Sequence, residues 1–396
     1  MRTKLLLILS LVLSTAGFAQ SIPISPNAEI SLLTIGQGYY LYDSFGHTAI
    51  HVQDKSRNIN VVFNYGVYDF DAPNFYGKFA QGQLLYRLRS YPYSKFFASY
   101  KADDRWIKAQ VLNLNPRQKQ RMFDFLVNNA KPENSQYAYD FFYDNCATRP
   151  IDVVKTATND NLVLNLEDNN LGKTHRALIH DYLHFNTWGS LGIDIALGSV
   201  IDKPIPPEDY LFLPDYTMDA FAKAHLNTRN ATPIVKRTED RFIPTEPAFY
   251  RNSLLLSPLI ILSLFSLLLI YKTYVDLKIK RRPYVLDKIL FFVTGLIGLL
   301  LFLLWVATDH TATAWNYNIL WAFPLNLIAM FGFSQLNVKK WFRPYMKLLI
   351  ILLALLTSHW IIGVQIFALT LIPVLLALLF RYVYILKAFK KINPHH

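Results

Sequence analysis

Cys146 is the only cysteine in a chain of 396 residues, and it lies in the polar run YDNCATRP, residues 143–150. A single thiol cannot close an intramolecular disulfide, which leaves a buried inert side chain, a lipid attachment site or a nucleophile. Asp140, Asp144, Asn145, Thr148 and Arg149 surround it in sequence, whereas a cysteine kept for packing sits among apolar neighbours. Pro150 is tolerated only in a first helical turn, so a helix starts within a few residues of Cys146. The positive end of its dipole and the Arg149 guanidinium both favour thiolate over thiol. The pattern points to a nucleophile.

Such a nucleophile needs a base, most often an imidazole, and a third group that orients the ring. The stretch SFGHTAIHV supplies His47, directly after a glycine and 99 residues before the cysteine. Strand alternation over HTAIHVQ puts Thr48, Ile50 and Val52 on one face and His47, Ala49 and His51 on the other. His51 is therefore the rival base or orienter. His175, His180 and His184 offer a further cluster, and His180 and His184 share a helix face. No carboxylate pattern accompanies them, so no metal and no organic cofactor are expected.

The elements that must hold these groups are legible around them. NINVVFNYG reads as a strand, with Asn60, Val62 and Asn64 on one face and Val61, Phe63 and Tyr65 on the other. Asn115-Pro116 opens a helix that runs to about Asn128. A further helical stretch covers His175–Phe185, and Lys203–Pro207 with Thr238–Pro247 reads as Pro-rich linker.

The start, MRTKLLLILSLVLSTAGFAQSIP, has a basic n-region (Arg2, Lys4), a short apolar core and a Gly17-Phe18-Ala19 cleavage pattern. It reads as a secretory signal peptide over residues 1–19. The apolar run is too short for a span of about 20 residues, and no cysteine follows the site to make a lipoprotein of it.

A formal charge of +12 suggests nucleic acid, but its distribution does not. From Arg251 onward there are 15 Lys and Arg against three acids, Asp276, Asp287 and Asp309, which leaves 25 of each sign before it. The first part is balanced, and no nucleic-acid partner is expected. After residue 250 apolar runs appear at Ser253–Tyr271, Ile289–Ala307, Trp315–Phe333, Leu348–Ile362 and Val364–Leu386, the pattern of five spans. Lys272 to Lys288, Lys339 to Lys347 and Arg381 to Lys391 make alternate loops basic, while 308–314 and 358–363 carry no Lys or Arg. The positive-inside rule places the basic loops in the cytoplasm and residues 20–250 outside. Asp309, His310, Asn316, Asn318 and Asn326 then fall at or below the outer interface beside Trp315 and Trp321, where polar groups are costly and often functional. If functional, they line a head-group site facing the exported domain.

Longer stretches carry a family resemblance. SFGHTAI, VVFNYGVYDFDAPNFYGKFAQGQLLYRL and YDFFYDNCATRPID resemble the exported domain of the Lnb-type bacterial lipoprotein N-acyltransferases, and WGSLGIDIALGSVID, DYLFLPDYTM and NYNILWAFPLN continue the match. The exported part is also similar to circularly permuted NlpC-like, papain-like folds, in which a histidine strand precedes a cysteine at a helix start. The resemblance implies an α+β fold: a circularly permuted papain-like domain over residues 20–250, then an all-α bundle of five transmembrane helices over 251–396. It implies a multi-pass protein of the bacterial inner membrane with its catalytic domain in the periplasm.

The implied reaction moves an acyl chain from a membrane phospholipid, through a Cys146 thioester, to the α-amino group of a diacylated lipoprotein. Cys146 is then the nucleophile, His47 its base and Asn64 the candidate third member, with His51 as its rival. Backbone N–H groups at the helix start meet the oxyanion, with Asn145 and Arg149 in support. Two other readings share the constellation: a tethered NlpC-like cysteine peptidase or amidase, and a phospholipase or thioesterase. A non-enzymatic, membrane-tethered binding module is the third.

Overall fold

The computed structural model describes residues 22–68, 73–83, 85–166, 172–245, 254–279, 285–334 and 340–392; residues 1–19, read as the signal peptide, lie outside the described residues. The exported part is built on strands β1 (Glu29–Ile35), β2 (His47–Asp54), β3 (Ile59–Tyr68), β4 (Leu85–Pro92), β5 (Ile107–Leu112), β6 (Gln136–Ala138), the short pair β7 (Leu162–Val163) and β8 (His225–Leu226), and β9 (Val235–Phe242). Seven form one antiparallel sheet in the order β6-β4-β3-β2-β1-β5-β9. Thr238–Phe242, expected as linker, is strand instead: β9 pairs with β5 and closes that edge.

Helices α1 (Phe75–Ala80), α2 (Tyr93–Ala102), α3 (Pro116–Asn129), α4 (Arg149–Thr158), α5 (His175–Tyr182), α6 (Trp188–Ala196) and α7 (Pro214–Lys223) complete the exported part. The sheet is covered on both faces. Ile50, Val52, Phe63 and Leu88 pack against Met122 and Phe123 of α3 and Ile151 and Val154 of α4. Ala49, Val62 and Leu33 on the other face lie under Phe96 of α2. The two registers of β2 therefore point into two cores, and the alternation needed to place His47 and His51 together is present. Asn115 and Gln118 cap α3 reciprocally, as its sequence start required.

The membrane part holds α8 (Pro258–Lys278), α9 (Val285–Val306), the single turn α10 (Asn326–Ala329), α11 (Phe342–Ile361) and α12 (Ile372–Ile392). Among the described residues four helical stretches are long and apolar enough to cross a membrane: 258–278, 285–306, 342–361 and 369–388. The expected third span, Trp315–Phe333, is not a long helix. It consists of 3-10 turns at Tyr317–Leu320 and Met330–Ser334 around α10.

The reason lies in its polar side chains and in Pro324. Asn318 and Asn326 are buried, and their amides bind the backbone and side chains around them: Asn318 to the Asp194 carbonyl and Trp321, Asn326 to Thr294 and Tyr345. Such bonds compete with helical ones. The segment still descends along α9. A Cβ at Gly298 would lie 1.8 Å from the Ala322 carbonyl oxygen and one at Gly295 2.6 Å from the Leu327 nitrogen, so only glycine admits this close approach. Phe333 then meets Phe291 at the start of α9, ring centroids 4.9 Å apart. Irregular backbone at membrane depth is tolerated where protein covers it, as here.

The exported and membrane parts are joined by hydrogen bonds. Asn316 Nδ2 donates to the Ile195 carbonyl at 2.7 Å, Asn318 Nδ2 to that of Asp194 at 2.9 Å, and the Gly198 N–H to Ala312 at 2.9 Å. Buried Arg176 braces the end of α6 and the turn after it through Asp194 (2.9 Å), Asp202 (2.8 Å) and the Leu197 and Gly198 carbonyls. At the opposite end of the bundle buried Arg381 of α12 binds Asp287 of α9 in a bidentate pair and Asp276 of α8, which Lys272 also pairs, so three helices are tied together by two cations and two carboxylates.

Candidate active site

Cys146 and His47 meet at one end of the sheet. Gly46 has φ +79°, a conformation open to glycine, and a Cβ there would lie 2.8 Å from the Ile35 carbonyl oxygen. The chain thereby enters β2 with His47 as its first residue. His47 Nε2 lies 2.5 Å from Asn64 Oδ1, which leaves the other ring nitrogen for the sulfur, and the side chains of His47 and Cys146 are hydrogen-bonded. The ring also stacks on Tyr100 of α2 at 6.0 Å.

Asn64 is followed by a bulge between Asn64 and Val67 in the β3–β4 ladder. Gly66 occupies it at φ +88°, and a Cβ there would lie 3.7 Å from Cys146 Cβ. The bulge brings strand backbone against the thiol, a common use of bulges beside reactive groups.

Burial acts on thiol and imidazole in the directions that disfavour charge, raising the one and lowering the other. The mutual attraction of thiolate and imidazolium, with their hydrogen bond and the Thr48 N–H donated to sulfur, outweighs it. Cys146 consequently titrates below an ordinary thiol and His47 above an ordinary imidazole. The Asn64 amide contributes in the same sense by accepting from the ring.

The remaining expected residues divide. Asn145 is buried directly before the thiol, but its Nδ2 donates to the Phe141 and Phe212 carbonyls, each at 2.8 Å, while its Oδ1 accepts from the Ala147 N–H at 2.7 Å. It fixes the Cys146 turn and has no donor left for an oxyanion; that expectation is corrected. Arg149 forms an ion pair with Asp144 and lies over the Tyr137 ring at 4.4 Å, so its charge is matched locally. His51 forms a second histidine–asparagine pair four residues along β2, with Nε2 2.7 Å from Asn60 Oδ1 and the ring on Tyr93 at 4.2 Å. Burial lowers its pKa.

The three α5-region histidines diverge. His175 is buried on Phe142, its pKa pushed down to about 4 by burial; His180 bonds Asp194; His184 accepts from the Asn186 N–H. No group of metal-ligating side chains occurs among the described residues. Asn316 and Asn318 are corrected too: their amides belong to the joint described above and are closed to a lipid head group. Asp309 and His310 instead clasp the turn after α1, through the Gln81 carbonyl at 2.7 Å and the Phe79 carbonyl at 3.1 Å.

Those two residues also wall a cavity of about 260 Å³ between the parts, lined by Phe45, Tyr139, Asp140, Phe141 and Phe142 on one side and by 309–313 on the other. Phe45 is two residues from His47, and the Asp140–Phe142 turn leads into Cys146. Sequence reading missed Phe45 and Tyr139 because aromatic residues before a turn look like core.

Two substitutions separate the histidine pairs. Asn64→Ala lowers the rate of Cys146 alkylation by iodoacetamide at pH 7 by about tenfold, the scale of one lost hydrogen bond to a charged group, because the amide that accepts from the ring and favours the imidazolium is gone. His51→Gln leaves that rate unchanged; an equal loss in both would give His51 a share in the site.

The fold and the site define a membrane-anchored protein whose exported α+β domain carries a thiol–imidazole–amide constellation at one end of its sheet. Residues 22–181 match the family described as Lnb N-terminal periplasmic domain, and residues 250–392 that described as Lnb transmembrane domain. The chain belongs to the Lnb family. Membership implies a membrane enzyme that modifies lipoproteins, with a periplasmic part. No curated protein and no solved structure matches the chain.

Proposed function

We propose that the protein is a lipoprotein N-acyltransferase of the bacterial inner membrane, and that its exported domain is a circularly permuted papain-like fold. The order of a histidine strand before a cysteine at a helix start supports the second point. The first is carried by one observation: residues that flank the catalytic pair in the chain, Phe45 before His47 and the Asp140–Phe142 turn before Cys146, share a cavity with membrane-domain residues 309–313, which sets the pair's flanking segments against the outer end of the bundle.

In the first half-reaction the Cys146 thiolate attacks the ester carbonyl of a phospholipid. The C–S bond forms, the ester C–O bond breaks, and the His47 imidazolium gives its proton to the departing glycerol oxygen. In the second, the α-amino group of a diacylated lipoprotein attacks the thioester. His47 takes the amine proton as the C–N bond forms and thiolate leaves. The Cys146 backbone N–H, at the start of the turn into α4, meets the oxyanion in both steps. Asn64 holds the ring without adding a negative charge.

The test uses the protein in vesicles with phospholipid of defined acyl chains and a diacylated lipopeptide whose amino group is free or acetylated. The expected result is a lipopeptide heavier by one acyl chain only when its amine is free, with lysophospholipid in equal amount. Free fatty acid without that product overturns the transferase in favour of a phospholipase, and cleavage of cell-wall peptide in favour of a peptidase.

A further inference from the structure

We infer that the loop Gly38–Asp43, GYYLYD, is a membrane-inserting tip whose tyrosines lie in the head-group region of the outer leaflet and bring the mouth of the Cys146–His47 site to the lipid surface. Tyr42 is 75 % exposed, Tyr40 60 %, Tyr39 48 % and Leu41 41 %, a concentration of large side chains that water does not favour.

The loop is stiff at its base. The Gly38 N–H donates to the Asp43 carbonyl at 2.9 Å and Ser44 Oγ to that of Tyr40 at 2.8 Å. The Asp43 carboxylate lies 3.8 Å from buried Arg105, and a Cβ at Gly38 would sit 2.2 Å from its carboxyl carbon. The exposed tips are thus projected by a fixed support.

Its height relative to the bilayer is given by continuity with the membrane helices. Leu41 packs on Gly189 of α6, where a Cβ would be 2.8 Å from its Cδ1. The adjacent Trp188 is half exposed and donates Nε1–H to the Leu256 carbonyl at 2.9 Å, two residues before α8 begins. Asn186 Oδ1 accepts from the Leu259 N–H in the first turn of α8. The tyrosine tip therefore stands level with the outer end of a membrane span, where tyrosine and tryptophan belong by their mixed polarity. His47 lies four positions after Asp43. That this tip serves lipid entry rests on the acyl-transfer reading; its depth does not.

Since Cys146 is the only cysteine, Cys146→Ser gives a background for single labels. In it, Tyr40→Cys carries an environment-sensitive fluorophore, in vesicles of phosphatidylcholine and phosphatidylglycerol with nitroxide lipids labelled at the head group, the upper acyl chain or the chain end. Lys55→Cys, exposed in the turn at the far end of β2, is the reference. The expected result is blue-shifted emission at position 40, quenched most by head-group and upper-chain nitroxides, with water-like unquenched emission at 55. Equal emission and quenching at the two positions overturns the inference; the same label at Tyr42→Cys repeats the test should the first variant fold poorly. With Cys146 intact, Tyr39→Ser/Tyr42→Ser slows acyl-enzyme formation from vesicle phospholipid by about tenfold through lost local concentration and leaves iodoacetamide alkylation unchanged. Loss of both rates together counts against the loop's lipid role. Absence of acyl-enzyme in the wild-type chain, with the depth result intact, brings down the acyl-transfer reading alone.

Discussion

Cys146→Ala abolishes the acyl-enzyme and the N-acylated product, with turnover lowered by roughly 10⁶-fold, the scale on which removal of a covalent nucleophile acts. The magnitude follows from the structure of the reaction. Without the sulfur there is no thioester, so donor and acceptor must react directly, and His47 and the oxyanion donors have nothing to act upon. Cys146→Ser does little better, since a hydroxyl beside His47 cannot form the ion pair that the thiol forms. Neither change disturbs the fold by more than about 1 kcal/mol: the side chain is small and partly exposed, and the turn is held by Asn145 rather than by sulfur. Mass spectrometry of a lipoprotein's N-terminal peptide, from cells lacking the native protein and carrying each variant, decides. Persistence of α-amino acylation with Cys146→Ala would remove both the nucleophile and the transferase reading.

How far the sequence could lead depends on whether a feature is set locally. Cys146 at a helix start was legible because Pro150 permits only a first turn, and α4 does begin at Arg149. The shared face of His47 and His51 followed from strand alternation. What alternation could not rank was the two histidines. Both have an asparagine on β3, and only the sheet's end, where the Gly66 bulge admits the thiol, distinguishes them. Asn145 was assigned to the oxyanion because it adjoins the cysteine; its partners, Phe141 and Phe212, include one 67 residues away. The broken helical form of the third apolar run escaped for a similar reason. Hydropathy counts Trp315–Phe333 as apolar, but its asparagines bind carbonyls on α6 and α9 contacts that composition does not reveal.

The same joint explains why a membrane part of this size accompanies a small thiol site. One anchor would hold a domain near a bilayer; it would not fix its height or face. Asn316, Asn318 and the Gly198–Ala312 bond lock residues 194–198, the end of α6 and the turn after it, to the outer end of the bundle, and Arg176 locks that segment to α5. The cavity wall at 309–313 is thus held at a set distance from Phe45 and the Cys146 turn. Under the proposed reaction, two lipid substrates in one leaflet would gain a high effective concentration at a site held in this way.

His47→Ala shifts the pH dependence of Cys146 in a defined direction. In the native chain the thiol lies below and the imidazole above its ordinary value, so thiolate and imidazolium coexist between the pair's two apparent pKa values. Alkylation by iodoacetamide therefore rises at a pH below that of a free thiol, about 8.5. Removing the imidazolium deletes the charge and the hydrogen bond that lower the thiol, while the burial that raises it remains. The alkylation midpoint consequently moves up, past the free-thiol value, and the rate at pH 7 falls by about 10- to 100-fold, tenfold for each unit of displacement. Acyl transfer falls further, by an added factor of about 10²–10⁴ for the lost proton donor and acceptor. Raising the pH restores alkylation in this variant, because hydroxide can make the thiolate. It does not restore transfer, because the departing oxygen still lacks its proton. A variant whose alkylation profile matches that of the native chain would show that His47 and Cys146 are not paired in solution, and a variant whose transfer recovers at high pH would limit His47 to making the thiolate.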